Sequence, residues 1–276
     1  MAPMTLDKNK TYLFLFAHPD DDAFICGTMK MLLDRGANVH AAWLTPGDFF
    51  GQGKRRESEL AEATSCLGME ASRVHLLRVP DLKVVPEMER AADLVTDLMD
   101  LVRPDVIFVD AYEGGHPDHD SANFLAYEAR YRTGIAADLL EFPLYNGSGP
   151  ARHWWWRINR FPPGGPEVLH SPLDEPAIAC KYRIMKEYSS QWMYMIPARI
   201  ASPRSRLLHE GEPYRKCPDD RDHTLRPHPG TINYERWFNF FMKISFEDFR
   251  DAVLRARSKR APYTDSDSKS PLTPLY

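Results

Sequence analysis

The chain has 276 residues, of which 43% are hydrophobic and 27% charged, the make-up of an ordinary globular protein and not of a disordered or collagen-like one. Thirty-five Lys and Arg against 39 Asp and Glu leave a net charge of −4, which excludes the basic footprint of a nucleic-acid binder. One large domain of this length buries about 75% of its unfolded surface, so folding needs neither disulfides nor a structural metal.

Met1 to Lys10 lacks the basic, apolar and small-residue order of a signal peptide. The apolar run Tyr12–Ala17 is far shorter than the ~20 residues of a membrane span. Cys26, Cys66, Cys180 and Cys217 show neither framework nor CxxC spacing, as expected of reduced thiols. These features describe a soluble, cytoplasmic chain with no membrane span.

In chain order, Tyr12–Phe16, Val39–Leu44, Val74–Val79, Val106–Val109 and Leu139–Tyr145 read as strands. Most lack polar alternation, which suits strands covered on both faces of a parallel sheet. Helical periodicity runs over Arg56–Leu67, stopped by Gly68, and over Pro86–Val102, stopped by Pro104. Strand–helix–strand repetition implies an α/β fold with a doubly wound, mostly parallel sheet. Beyond Tyr145, Asn146–Pro172 is a long Gly, Pro, Trp and Arg-rich loop, a lid candidate. Asp174–Gln191 and Phe246–Arg257 read as helices, and Ala198–Gly230 as irregular. A single domain over 1–276 results, with its core at 11–191, an irregular C-terminal elaboration at 192–257 and a polar, mobile tail at 258–276.

Two motifs follow directly on strands. The first strand ends in His18-Pro19-Asp20-Asp21-Asp22, and the fourth is followed by His116-Pro117-Asp118-His119-Asp120. In the common strand order 3-2-1-4-5, strands one and four are neighbours at the crevice where ligands bind. One such motif alone is ordinary turn and capping chemistry. Two at facing strand ends, each with an extra acid or imidazole, point to a divalent metal such as zinc, held with an open position for water. Adjacent Asp20 and Asp21 let one carboxylate bind metal while the other takes a proton, and His116 and His119 divide labour in the same way. Asp118 is placed to hydrogen-bond the His116 ring and keep it cationic.

Ala17-His18-Pro19-Asp20-Asp21 and Gly115-His116-Pro117-Asp118-His119 resemble the paired signature of the LmbE-like, or PIG-L, de-N-acetylase family. Thr45-Pro46-Gly47, Arg56-Glu57-Ser58-Glu59 with Leu67-Gly68, and Tyr188-Ser189-Ser190-Gln191 extend the resemblance from about Leu13 to Gln191, with an echo at Glu212-Pro213-Tyr214-Arg215. The resemblance implies a Rossmann-like fold and zinc-dependent hydrolysis (Fe2+ being an alternative metal) of an N-acylated amino sugar or its conjugate. It implies His18, Asp21 and His119 as metal ligands, Asp20 as general base, His116 as the imidazole facing the reacting carbonyl, and Arg56 as a substrate contact. Two departures stand out: Asp22 replaces the usual Glu, and Gly114 replaces a Tyr, leaving Tyr112 as the nearest phenol.

Asp48 is a further pocket candidate in a Gly-Asp turn. His40 and His75 read as strand imidazoles, His153, His170, His209 and His223 as solvated, and His228 as a residue able to reach the pocket from the C-terminal part. Trp154–Trp156 offer stacking surfaces. Competing classes are a metal-dependent amidase acting on a non-sugar amide, a non-catalytic carbohydrate-binding relative and an iron oxygenase built on two His and a carboxylate. A nicotinamide-dependent oxidoreductase fits poorly, because HPDDDAFICG stands where GxGxxG is needed.

Overall fold

The computed structural model describes residues 7–148, 157–236 and 243–259; the expectations for His153, Trp154–Trp156 and the tail beyond residue 259 lie outside the described residues. Strands β1 (Thr11–Phe16), β2 (Asn38–Trp43), β3 (Val74–Leu76), β4 (Val106–Asp110) and β5 (Asp138–Phe142) pair in parallel in the order 3-2-1-4-5. The short strands β6 (Tyr145–Asn146) and β7 (Arg157–Ile158) pair apart from this sheet, and β8 (Leu169–Ser171) and β9 (Glu212–Lys216) extend it antiparallel beyond β5.

The helices are α1 (Cys26–Asp34), α2 (Gly53–Leu67), α3 (Met88–Val102), α4 (Pro117–Thr133), α5 (Glu175–Glu187), α6 (Trp192–Ala201), α7 (Arg204–His209), α8 (Asn233–Arg236) and α9 (Phe246–Ser258). Successive strand residues point to opposite faces, so β1 feeds two cores. Leu13 and Leu15 join Ile107 and Val109 beneath α3, α4 and α9. Tyr12, Phe14 and Phe16 join Phe108 beneath α1, α2 and α5, with the Phe14 and Phe108 rings stacked 4.8 Å apart. Truncating a fully buried ring such as Phe14 to Ala costs about 3–5 kcal/mol. Both faces are covered, which is why the strand sequences lack polar alternation.

Two sequence expectations need correction, and one helix was not foreseen. The stretch Ala198–Gly230 is not irregular throughout, since it contributes the end of α6, all of α7 and β9. β9 reads as polar because its charges are neutralised by distant partners: Glu212 binds Lys181 and Arg215 binds Glu141, each N–O distance being 2.6 Å. The run Leu139–Tyr145 breaks at Pro143 into β5 and β6. α4 escapes periodicity because residues 117–126 are all buried, leaving no amphipathic stripe to read.

Candidate metal centre and its cavity

Leu15 of β1 lies opposite Val109 of β4, so the loops leaving these strands open into one crevice. The first loop is pinned at both ends: Ala17 N–H donates to Asp110 Oδ2 at 2.8 Å, and His18 N–H to Asp21 Oδ2 at 2.7 Å. Asp20 adopts φ +113°, a left-handed backbone of the kind that costs energy and clusters at functional sites. In the second loop Pro117 starts α4 and His116 caps it. Asp120 Oδ1 accepts from the Glu113 and Gly114 N–H groups at 3.1 Å each. Gly115 is required, because a Cβ there would lie 2.0 Å from the Tyr145 carbonyl oxygen.

Three buried side chains converge. His18 Nδ1 lies 3.3 Å from His119 Nε2 and 3.4 Å from Asp21 Oδ2, and His119 Nε2 lies 3.2 Å from Asp21 Oδ1. Ligands bonded at ~2.0–2.1 Å to a tetrahedral zinc ion are about 3.3–3.4 Å from one another, so this donor set fits such an ion. His116 and Asp110 have ligand atoms in overlapping groups spanning no more than 4.8 Å. His119 Nδ1, Asp110 Oδ1 and Asp118 Oδ1 are buried with no hydrogen-bond partner, a carboxylate-rich surrounding that a divalent cation balances.

On the far side of the His18 ring, Nε2 faces Asp81 Oδ1 at 3.1 Å and Asp118 Oδ2 at 3.3 Å. Carboxylates placed there fix the orientation of a ligand imidazole. Burial opposes charge on His18, yet Asp81, Asp118 and Asp21 raise its pKa well above the ordinary histidine value. Asp21 is the converse: burial works to raise its pKa, but His119 and His18 hold it well below the usual carboxylate range.

Asp118 therefore does not act on His116 as the sequence suggests. Its carboxylate goes to His18 and to the Leu82 N–H at 2.9 Å, while its own N–H donates to His116 Nδ1 at 3.2 Å. That bond occupies the Nδ1 lone pair and leaves the proton of a neutral ring on Nε2. Burial, then the charge of His18, push the His116 pKa well below its ordinary value. The expected imidazolium is replaced by a neutral donor.

Asp20 lines the cavity without belonging to the three-donor cluster. Burial pushes its carboxyl up to about 7, against the pull of Arg56. Arg56 is buried, donates to Asp20 Oδ1 and to the Pro19 carbonyl, and lines the same cavity. Its guanidinium fills the space over Gly47, where a Cβ would meet it at 2.5 Å; this explains a Gly in Thr45-Pro46-Gly47. The cavity measures about 210 Å³ and is also lined by Phe24, Leu82, Tyr145, Ile158, Gln191 and Tyr194.

Two substrate candidates fall elsewhere. Asp48 is exposed and accepts the Asp81 N–H at 3.0 Å, so it positions a loop instead of facing the cavity. Tyr112 turns to the opposite side, its hydroxyl donating to the Leu225 carbonyl at 2.7 Å, with its ring near Phe249 of α9. Phenols at the cavity come instead from Tyr145 and Tyr194, beyond reach of any local motif. Asp81 was equally missed; the available signal was its place just after β3, at the same edge of the sheet as the other two loops.

His228 stops short of the cavity lining and binds the Glu113 carbonyl through Nε2 at 3.1 Å. His223 is not solvated: it is fully buried and sits 3.0 Å from Asn123 Oδ1. His40 and His75 pair with each other at 3.1 Å. The shorter Asp22 keeps a positioning role, accepting the Tyr188 hydroxyl at 2.6 Å. Glu59 accepts from Ser189 Oγ and from Ser190 N and Oγ. These bonds join the Arg-Glu-Ser-Glu and Tyr-Ser-Ser-Gln segments and set Gln191 on the cavity wall.

Residues 13–130 match the family model described as PIG-L, GlcNAc-PI de-N-acetylase. The likeness to this family covers 118 of the 276 residues, less than half of the chain. The PIG-L match contains both candidate metal-site loops, most of β1, all of β2 to β4 and most of α4. The chain is 36% identical over 76 residues to the probable N-acetylglucosaminyl-phosphatidylinositol de-N-acetylase of Schizosaccharomyces pombe, covering 27% of this chain and 31% of that protein. It is 27% identical over 118 residues to the N-acetylglucosaminyl-phosphatidylinositol de-N-acetylase of Bos taurus, covering 40% and 47%. The matches thus span less than half the length of these curated relatives. Among solved structures, the N,N'-diacetylchitobiose deacetylase of Pyrococcus horikoshii superposes with a TM-score of 0.56 over 78% of this chain and 88% of that one, at 19% identity, a likeness of fold. Among the described residues, no helix is long and apolar enough to cross a membrane.

Proposed function

We propose that this chain is a metal-dependent amidohydrolase that removes an acetyl group from an N-acetylglucosamine conjugate. The observation that carries this reading is the spacing of His18 Nδ1, Asp21 and His119 Nε2 at 3.2–3.4 Å, with a further carboxylate, Asp20, on the wall of the same cavity. The relatives named for action on N-acetylglucosaminyl-phosphatidylinositol support the sugar class.

His18, Asp21 and His119 hold the ion, with zinc the first choice for this N and O donor set. When bound, zinc supplies an acidified water and a positive charge beside the carbonyl oxygen. Asp20 takes the proton of the attacking water. A carboxyl with a pKa raised to about 7 is suited both to accept that proton and to pass it to the departing amine. Arg56 keeps the Asp20 carboxylate aimed while the strained backbone at φ +113° fixes its base. Neutral His116 donates its Nε2–H towards the oxygen on which negative charge develops. Asp118 and Asp81 hold His18 from behind, and the apolar wall of Phe24, Leu82 and Ile158 limits water.

The test is a zinc-loaded preparation offered N-acetylglucosaminyl conjugates, with acetate and free amine measured together. Equal release of both under anaerobic conditions, stopped by chelation and restored by zinc or Fe2+, is the expected result. Intact amides across the panel, or release indifferent to chelation, refute the reading.

A further inference from the structure

We infer that Cys66 and Cys180 form a reversible disulfide that braces α2 against α5. This chemistry belongs to the two sulfurs and is independent of the reaction proposed above. All four cysteines are free thiols. The Sγ atoms of Cys66 and Cys180 lie 3.5 Å apart where the two helices pack, and Cys180 Sγ also faces the Cys66 carbonyl at 3.5 Å. A disulfide holds its sulfurs at ~2.05 Å. Bonding therefore asks for a closure of about 1.5 Å, which turns of about 30° about the two χ1 bonds can supply. The remaining thiols are placed otherwise. Cys26 is fully buried with its Sγ on the Ala23 carbonyl at 3.7 Å, and Cys217 is buried beside Tyr127.

The two thiols of the pair differ in access. Cys66 is half-buried, whereas Cys180 is buried. Burial, then the Cys66 thiol, push the Cys180 pKa up to about 12, so Cys180 is a poor first target and Cys66 is the point of entry. The oxidant is a small-molecule disulfide. The Cys66 thiolate attacks one of its sulfurs, forming a mixed disulfide and expelling the other half as a thiolate, which takes up the proton that Cys66 gave to solvent. Cys180 then attacks the Cys66 sulfur, its proton going to the second thiolate expelled; its closeness offsets its high pKa. Two protein thiols and one small disulfide become one protein disulfide and two small thiols, and excess dithiol reverses the exchange.

The bond joins elements that frame the cavity. Glu59 of α2 already holds Ser189 and Ser190, just beyond α5. Cys66 follows Glu59 while Cys180 precedes Ser189, so the helices run antiparallel and carry two ties about 10 Å apart. α2 also supplies Arg56, and the chain leaving α5 supplies Gln191 and Tyr194, all on the cavity wall. Cys66 stands about 15 Å along α2 from Arg56, so the disulfide clamps this frame at the end away from the cavity. The two cysteines are 114 residues apart in sequence, and a cross-link over so long a loop strongly restricts the unfolded chain.

The experiment incubates the reduced protein with oxidised glutathione under native conditions, then reads its mass, its joined peptides and its melting midpoint. The expected product has lost two hydrogens, has the Cys66 and Cys180 peptides joined, and melts at least ~5 °C above the reduced protein. Dithiothreitol should restore the original midpoint. Cys180→Ala should stop with one glutathionyl group on Cys66, and Cys66→Ala should leave Cys180 unmodified. Amide exchange in the wild type needs neither variant: protection in α2 and α5 should rise at least about tenfold on oxidation. Wild type that keeps both thiols, that stops with glutathione on Cys66, or that joins Cys26 or Cys217 instead overturns the inference. A Cys66–Cys180 bond that leaves the midpoint and the exchange of both helices unchanged, or lowers the midpoint, refutes the brace.

Discussion

Replacing Lys181 with Met should test how the C-terminal part of the chain holds the metal loop. Lys181 and Glu212 are fully buried, and Nζ donates to Glu212 Oε1 at 2.6 Å and to the Ala23 and Phe24 carbonyls at 2.6 and 3.0 Å. Burial opposes the Lys181 charge, but Glu212 more than offsets this and raises its pKa. Lys181→Met leaves Glu212 with three donors, Gly27 N, Thr28 N and Thr28 Oγ1, but no counter-charge. Breaking a buried pair in this way costs about 3–5 kcal/mol, a large part of a typical total of about 5–15 kcal/mol. In a domain of this size that lowers the melting temperature by about 6–20 °C. Urea unfolding reads the loss directly. Lys181→Met/Glu212→Gln removes both charges while keeping an acceptor for Thr28, and should recover at least half of it. Because the two carbonyls directly follow Asp21 and Asp22, zinc affinity in Lys181→Met should also fall about tenfold. A single variant within about 1 kcal/mol of wild type would show that the pair does not carry this part of the fold.

Asp20→Asn should bind zinc as wild type does yet lose at least ~100-fold in turnover; equal loss of both would make Asp20 a ligand. Asp21→Asn should weaken zinc at least ~100-fold in competition with a chromogenic chelator, since it removes a donor common to two of the three short contacts. Tyr112→Phe should leave acetate release within about twofold and cost about 1 kcal/mol through the lost bond to Leu225; a severe loss of rate would return its hydroxyl to the reaction. His75 supplies a pH signature. Burial, then His40, push its pKa down to about 4, whereas the unfolded imidazole titrates near 6.5. The folded state binds the proton less well, so stability present above pH ~6.5 is lost as pH falls towards 4. His75→Asn should flatten the denaturation midpoint across that window, and an unchanged slope would refute the assignment.

The sequence alone determined the parallel strands and the two candidate metal loops, while the strand order was the one common to such sheets. Those features are local: apolar runs without alternation mark strands covered on both faces, and His-Pro-Asp at a strand end carries donor chemistry and turn geometry together. The Lys181–Glu212 and Arg215–Glu141 pairs are not local, and they hide β9 because a polar strand is stable inside only when its partners arrive from elsewhere. α4 was hidden for the opposite reason, being buried on every side over residues 117–126. Only the tertiary structure moved Asp118 from His116 to His18, added Asp81, turned Tyr112 away and brought Tyr145 and Tyr194 to the cavity. Which neighbour a carboxylate or phenol faces depends on how helices and loops stack across the sheet, and residue spacing along the chain does not encode that.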